Sequence, residues 1–255
     1  MSKTIVVAGK GGSGKTVIAA LMVKALVESK AGTILAVDAD PNRNLDRALG
    51  VEAEETVGSI RENMLEEITS LPGGMTKAEY IAYRTQQSIV ETDDFDLLAM
   101  GRPEGPGCYC YANSIVRQVV DKLSDEYDYV VVDCEAGLEH LSRRTAGRAD
   151  YVLVVADPSV RSAETVRRVV ELMEDLGTPL GKTVVVANRS RNGMVPAVRA
   201  ILEGVAAGAV SVVPEDEGVH CLDDAGEALL KVPLDSPAYR AVKDIVRESG
   251  IAEVE

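Results

Sequence analysis

Residues 4 to 16, TIVVAGKGGSGKT, leave this chain very few folds to choose from. A short apolar, β-branched run enters a loop with glycines at 9, 11, 12 and 14, and a helical pattern, KTVIAALMVKALVESK, follows at once. Strand, tight turn and returning helix form the first half of a βαβ unit, which commits the chain to a parallel sheet covered by helices. Gly9 and Gly14 with Lys15 and Thr16 satisfy G-x-x-x-x-G-K-[ST]. Phosphate oxygens need convergent backbone N–H donors at close range, and the stretch from Gly9 through Gly11, Gly12 and Ser13 to Gly14 gives that approach without obstructing side chains. Val17 continues the same segment into the helix. With ATP or ADP as the nucleotide, Lys15 is expected to reach the β-phosphate and, in ATP, the γ-phosphate, and the Thr16 hydroxyl to ligate Mg2+.

The rest of the chain keeps the rhythm this opening sets. TIVVA (4–8), TILAVD (33–38), DLLAM (96–100), YDYVVVDC (127–134), YVLVVAD (151–157), TVVVAN (183–188) and AVSVV (209–213) are mostly continuous apolar runs, as strands buried on both faces require. Helical patterns alternate with them, including ANSIVRQVVDKLSDEY, SAETVRRVVELMEDLG and GMVPAVRAILEGVA. The expected fold is a three-layer, doubly wound α/β fold with a mainly parallel sheet and P-loop NTPase topology. With 255 residues, 46% of them hydrophobic, one large core is expected, so residues 1–255 read as a single ATPase domain. An acidic, mostly helical insertion over about 51–95 interrupts the alternation and reads as a solvated helical face, with docking to a partner as the second reading.

Two carboxylates close strand-like runs. In VDADPNRNLDRAL, Asp38 ends the second run and Asp40 follows just before Pro41. Asp40 is either the cap of a helix that Pro41 starts or a group orienting the water that attacks the γ-phosphate. In VVVDCEAGLEHL, Asp133 occupies the position that holds Mg2+ directly or through water, and Gly137 frees the backbone of the loop that follows. Cys134 and Glu135 in that stretch leave the details of this loop open. Asn188, in VVVANRSRN, reads on its own as a turn residue or a helix cap.

The order K-G-G-x-G-K-T, with Lys10 inside the loop, resembles the deviant Walker A loop of the MinD/ParA/NifH class of ATPases. The resemblance implies that Lys10 reaches across a homodimer to the partner's nucleotide, so that ATP bridges two chains. It implies a catalytic set of Lys10, Lys15 and Asp40, and Mg2+ contact by Asp38 beside Thr16 and Asp133. It further implies that Asn188 hydrogen-bonds adenine, with Arg189 beside it in the nucleotide-binding set and Pro214 of VVPEDEGV lining the base pocket.

Residues 107 to 113, GCYCYAN, place Cys108 and Cys110 after a turn-rich RPEGPG. A disulfide between them would close a very small ring that the preferred geometry disfavours. A pair of small hydrophobes is the second reading, and it suits the isolated Cys134 and Cys221 better. The third is half of a soft metal site, which a dimer would complete as four thiolates around Ni2+ or Zn2+. The CYC pair, the following ANS and EAGLEHL, together with the loop at 9–16, resemble the CooC-type nickel-insertion ATPases over nearly the whole chain. That resemblance implies nickel or zinc bound between subunits by Cys108 and Cys110, with nickel carbon monoxide dehydrogenase or acetyl-CoA synthase as recipient. His140, in EHL, reads as a helix-surface histidine or as support for the metal or the switch loop.

Two other members of the class remain as alternatives. A NifH-like reductase would share one [4Fe–4S] cluster, for which Cys108 with Cys134 is the imitation present here. A MinD- or ParA-like positioning ATPase would work on a membrane or on DNA. The formal net charge of −14 speaks against anionic partners, so neither nucleic acid nor membrane is expected. No run approaches a membrane span, no signal-like segment opens the chain, and four cysteines suit a reduced compartment, so a cytoplasmic location is expected. The C-terminal SPAYRAVKDIVRESGIAEVE reads as a capping surface helix.

Overall fold

The computed structural model describes residues 2–66, 76–102, 122–123, 126–134, 149–175, 180–191, 193–205 and 210–254. The strands are β1 (Lys3–Gly9), β2 (Ile34–Ala39), β3 (Val90–Glu91), β4 (Asp96–Ala99), β5 (Tyr129–Cys134), β6 (Ala149–Ala156), β7 (Leu180–Ser190) and β8 (Val210–Pro214). The helices are α1 (Lys15–Glu28), α2 (Leu45–Leu49), α3 (Val57–Glu66), α4 (Lys77–Gln87), α5 (Val160–Asp175), α6 (Pro196–Val205), α7 (Glu217–Asp224) and α8 (Pro237–Glu248). The strands form one sheet in the order β3-β4-β2-β5-β1-β6-β7-β8. Every pairing is parallel except that of β3 with β4.

Both faces of the sheet are covered, which is why its strands read as unbroken apolar runs. On β1, Val6 and Ala8 pack toward α3, α4, α5 and α6, while Ile5 and Val7 pack toward α1, α2, α7 and α8. The three-layer, mainly parallel fold expected from the sequence is the fold observed. Helix α1 is apolar nearly all round and buried accordingly. Its one central cation, Lys24, donates to the Leu230 carbonyl at 2.8 Å and lies 5.2 Å from the Tyr239 ring, so the charge stays partnered inside the layer.

Helix α8 is tied in at both ends. Ser236 caps it by accepting from the Tyr239 N–H at 3.1 Å, and Pro237 opens the first turn. Past its C-terminus, Lys3 donates to the carbonyls of Gly250 and Ile251 at 3.1 and 2.7 Å, where a cation complements the negative end of the helix. Tyr239, Val242, Ile245 and Val246 are buried, the three aliphatic residues each contributing roughly 1.5–3 kcal/mol by leaving water. The segment is therefore a structural member of the α1 layer rather than a helix laid on the surface. Among the described residues no helix is long and apolar enough to cross a membrane.

Three sequence expectations change here. Pro41 does not start a helix: α2 begins at Leu45, and residues 41–44 form the turn that leads to it. The 51–95 segment is helical in α3 and α4 but is not simply a solvated face, because Val57, Ile60, Tyr80 and Ile81 are buried in the core and β3 extends the sheet. Cys221 is exposed on α7 rather than packed as a small hydrophobe. Cys108, Cys110, Glu135, Gly137 and His140 lie outside the described residues.

Candidate functional site

The sheet brings the chemistry to one end. Val7 of β1 stands beside Asp133 of β5, and Asp133 in turn beside Asp38 of β2, so the loop after β1 opens over the ends of two carboxylate-bearing strands. Gly9 runs so close to β6 that a Cβ would sit 2.3 Å from the Val155 carbonyl oxygen, which restricts this position to glycine. Gly14 has φ +87° and its Cβ would meet the Asn188 amide nitrogen at 2.3 Å. Between them the Lys10 carbonyl accepts from the Ser13 N–H and hydroxyl at 3.2 and 2.8 Å and from Lys15 Nζ at 3.4 Å. Lys15 is thus buried and folded onto its own loop, while Lys10 is exposed.

The cleft in front of this loop has a volume of about 550 Å³. Gly11, Gly12, Gly14, Lys15, Thr16 and Val17 line it, together with Asp40, Asn42, Asn44 and Arg47 and with Arg189, Asp223, Gly226 and Glu227. Arg47, Asp223 and Glu227 escaped the sequence reading. They carry no motif and reach the cleft only because α2 and the end of α7 pack beside the loop.

Asp38 and Asp133 are 0% and 1% exposed. Burial pushes the Asp38 carboxyl up to about 7, with the neighbouring Asp133 adding to the effect. Burial likewise pushes Asp133 up to about 7, against the opposing influence of the Thr16 hydroxyl and Lys15. The two differ in what their oxygens do. Asp38 accepts from the backbone N–H groups of Asp40 and Leu45 at 3.0 and 2.9 Å, which shapes the turn leading to α2. Asp133 accepts from the Thr16 hydroxyl at 2.6 Å through one oxygen, and its other oxygen is buried without a described partner. An orphaned buried carboxylate oxygen beside a hydroxyl and a second carboxylate fits a hard divalent cation such as Mg2+. Asp40 is half-buried at the cleft, its own carboxylate accepting from the Asn42 backbone and side chain at 2.8 and 2.9 Å.

On the other side of the loop, β7 bulges between Ala187 and Ser190, and Arg189 takes φ +58°. Asn188 is buried and donates to the Ser13 carbonyl at 2.9 Å, and Arg189 donates to the Gly12 carbonyl at 3.3 Å. Both also line a pocket of about 20 Å³ with Val17, Val213, Pro214 and Val219 and with Asp216, His220 and Asp223. Cys134 is buried at 1% exposure, and burial pushes its thiol up to about 12, with Asp133 adding to it. It is therefore a poor thiolate ligand. Among the described residues no cluster of three or more His, Cys, Asp or Glu could hold a metal ion.

A glycine loop opening from the central strand of a parallel sheet onto a buried carboxylate of the next strand is the architecture of P-loop ATPases of the MinD/ParA type. Over residues 2–185 the chain matches the AAA domain family AAA_31, and it belongs to that family. It is 40% identical over 246 residues to an uncharacterized ATP-binding protein of Methanocaldococcus jannaschii, covering 96% of this chain and 97% of that one. To the carbon monoxide dehydrogenase accessory protein CooC of Rhodospirillum rubrum it is 30% identical over 184 residues, 68% of this chain and 70% of CooC. Its fold superposes on the septum site-determining protein MinD of Pyrococcus horikoshii, solved with Mg-ADP, with a TM-score of 0.70 and 22% identity over 98% of each chain.

Proposed function

We propose that this ATPase is a metallochaperone: it closes as a homodimer on ATP, holds nickel or zinc through Cys108 and Cys110 of two subunits, and on hydrolysis delivers nickel to carbon monoxide dehydrogenase or acetyl-CoA synthase. The observation that carries the nickel reading is the Cys-x-Cys pair of the sequence in a chain related to CooC. Four thiolates from two chains complete a soft-metal site that one chain leaves half-built.

The nucleotide part rests on the cleft. Gly9 to Thr16 cradle the phosphates, Lys15 exchanges the Lys10 carbonyl for phosphate oxygens, and Lys10 reaches the nucleotide of the second subunit. Thr16 and Asp133, with Asp38 beside them, would hold Mg2+, which when bound neutralises charge on the phosphates. Asp40, at the cleft, orients and deprotonates the attacking water. Asn188 commits one amide hydrogen to Ser13, and its oxygen accepts from no described residue, so it can take the exocyclic amino group of adenine where guanine presents an acceptor. Pro214 and Val17 stand beside Asn188 as apolar neighbours for that base.

A cluster-bearing reductase is the weaker reading, since its second thiol would be Cys134, which lies in the core. A positioning ATPase is favoured by the fold match to MinD over 98% of the chain. Against it stand the net charge of −14 and an α8 whose apolar face is already buried. Equilibrium titration of the ATP-bound chain with Ni2+ separates these readings. We expect one ion per two chains, lost in a Cys108→Ser, Cys110→Ser variant that still hydrolyses ATP. A double variant that keeps one ion per dimer overturns the metal assignment.

A further inference from the structure

We propose that Arg189 is a positioning residue for the phosphate loop, acting through the Gly12 carbonyl rather than by touching the nucleotide. The proposal rests on the reading that residues 9–16 hold the phosphates. Strand β7 reaches this loop only by departing from regular geometry, with a bulge between Ala187 and Ser190 and a non-glycine residue at φ +58°. Such backbone is costly and persists where surrounding contacts enforce it. Its effect is to turn two consecutive side chains the same way, although neighbours along a strand normally point to opposite faces. Both then meet the loop: Arg189 Nη1 donates to Gly12 O at 3.3 Å and Asn188 Nδ2 to Ser13 O at 2.9 Å. A Cβ on Gly14 would lie 2.3 Å from Asn188 Nδ2, so the loop is glycine here because Asn188 leaves no room for a side chain, with Arg189 Nη2 at contact distance, 3.4 Å.

The physical consequence follows from the rigidity of the peptide unit. In a planar trans peptide the C=O and N–H point in opposite directions, so fixing one end fixes the other. The peptide joining Gly12 to Ser13 is held at its oxygen by Arg189 and at its N–H by the Lys10 carbonyl at 3.2 Å. The next peptide is held at its oxygen by Asn188, which leaves the Gly14 N–H aimed away from Asn188. A guanidinium on the carbonyl side also polarises the peptide it holds. Arg189 additionally lines both the cleft and the small pocket beside Pro214, so it sits where a group bound in one is felt in the other. The loop is pre-shaped by its neighbours on β7, and part of the affinity for phosphate resides in a side chain that acts through the loop's backbone.

The test compares ligands with and without a nucleoside. Mg·ATP binding is measured directly, and inorganic tripolyphosphate is measured as a competitor of ATP hydrolysis, for the wild type, Arg189→Met and Arg189→Lys. Loss of one charge-assisted hydrogen bond predicts that R189M weakens both ligands by the same factor, about five- to tenfold, and that R189K recovers most of it. Weakening of ATP alone would mean that Arg189 touches base or ribose, and overturns the proposal. Unchanged affinity for both overturns it as well, as does an equal loss that R189K does not recover and that tracks a lowered Tm. A wild-type chain that hydrolyses ATP without competition from tripolyphosphate removes the phosphate-loop reading itself.

Discussion

The buried aspartates show most sharply how single residues are adapted to a charge the chain does not itself supply. Asp38 and Asp133 each ionise only against burial, and both are raised to about 7. A carboxyl raised above its unfolded value of about 4 contributes stability that is complete below that value and lost as pH rises through about 7. The metal-free chain should therefore lose stability between about pH 4 and 7 through these two groups. Asp133→Asn keeps the acceptor for Thr16 and removes one charge. In chelator at pH 8 it should melt above the wild type, by roughly 2–4 °C for each kcal/mol recovered, and its Tm should vary less with pH. Thermal melts at pH 5.5 and 8 check this, and a variant less stable than wild type at pH 8 contradicts it. The same substitution should cost the Mg2+-dependent ATPase heavily, because Asp133 carries the orphaned oxygen.

At the scale of elements, the junction between α7 and α8 hangs on Asp216. Its carboxylate accepts from the N–H groups of Gly218 and Val219 at 2.9 and 3.3 Å, capping α7, and from Ser236 Oγ and the Ala238 N–H at 2.6 and 3.2 Å at the start of α8. Burial pushes its pKa up, but these hydrogen bonds outweigh it and the net shift is downward. A depressed pKa gives stability that is present above about 4 and lost as pH falls through the folded value. Asp216→Ala should cost about 1–2 kcal/mol at pH 7, with the deficit shrinking in acid. Denaturant unfolding at pH 7 and pH 3 measures both halves of that statement. Elements were also where the sequence was read most and least well. The apolar runs marked every parallel strand because burial on two faces writes a signal that needs no tertiary context. The edge strand β3 left none, since two residues paired antiparallel are too short for any periodicity. Pro41 looked like a helix start, but the Asp38 carboxylate takes the Leu45 N–H and moves the first turn of α2 four residues on.

For the whole molecule, nucleotide binding and folding are linked. The cleft is assembled from α1, α2, the end of β7 and the end of α7, so any ligand that fills it must tighten contacts between layers. At about 100 times its dissociation constant, Mg·ADP should stabilise the chain by about 2.7 kcal/mol. Calorimetric melts with increasing ligand should show Tm rising with its logarithm, and a Tm indifferent to Mg·ADP would contradict the assignment of the cleft. If ATP also drives dimerisation and the dimer owns the Cys108 and Cys110 site, metal must strengthen the dimer by the same factor by which dimerisation strengthens metal binding.

What the sequence determined alone was whatever depends on local spacing: the glycine loop and its Lys15 and Thr16, the strands, and the aspartates that close two of them. Each is a statement about neighbours along the chain, and backbone sterics and the alternation of strand and helix make such statements binding. Tertiary structure decided the rest. It set Asp38 beside Asp133 in register, left one oxygen of Asp133 without a described partner, turned Asn188 and Arg189 onto the loop, and brought Arg47, Asp223 and Glu227 to the same cleft. The aspartate pair is 95 residues apart along the chain and the two ends of the loop clasp 175, and no local pattern encodes a distance of that kind. Only the packing of layers on a common sheet brings such residues together.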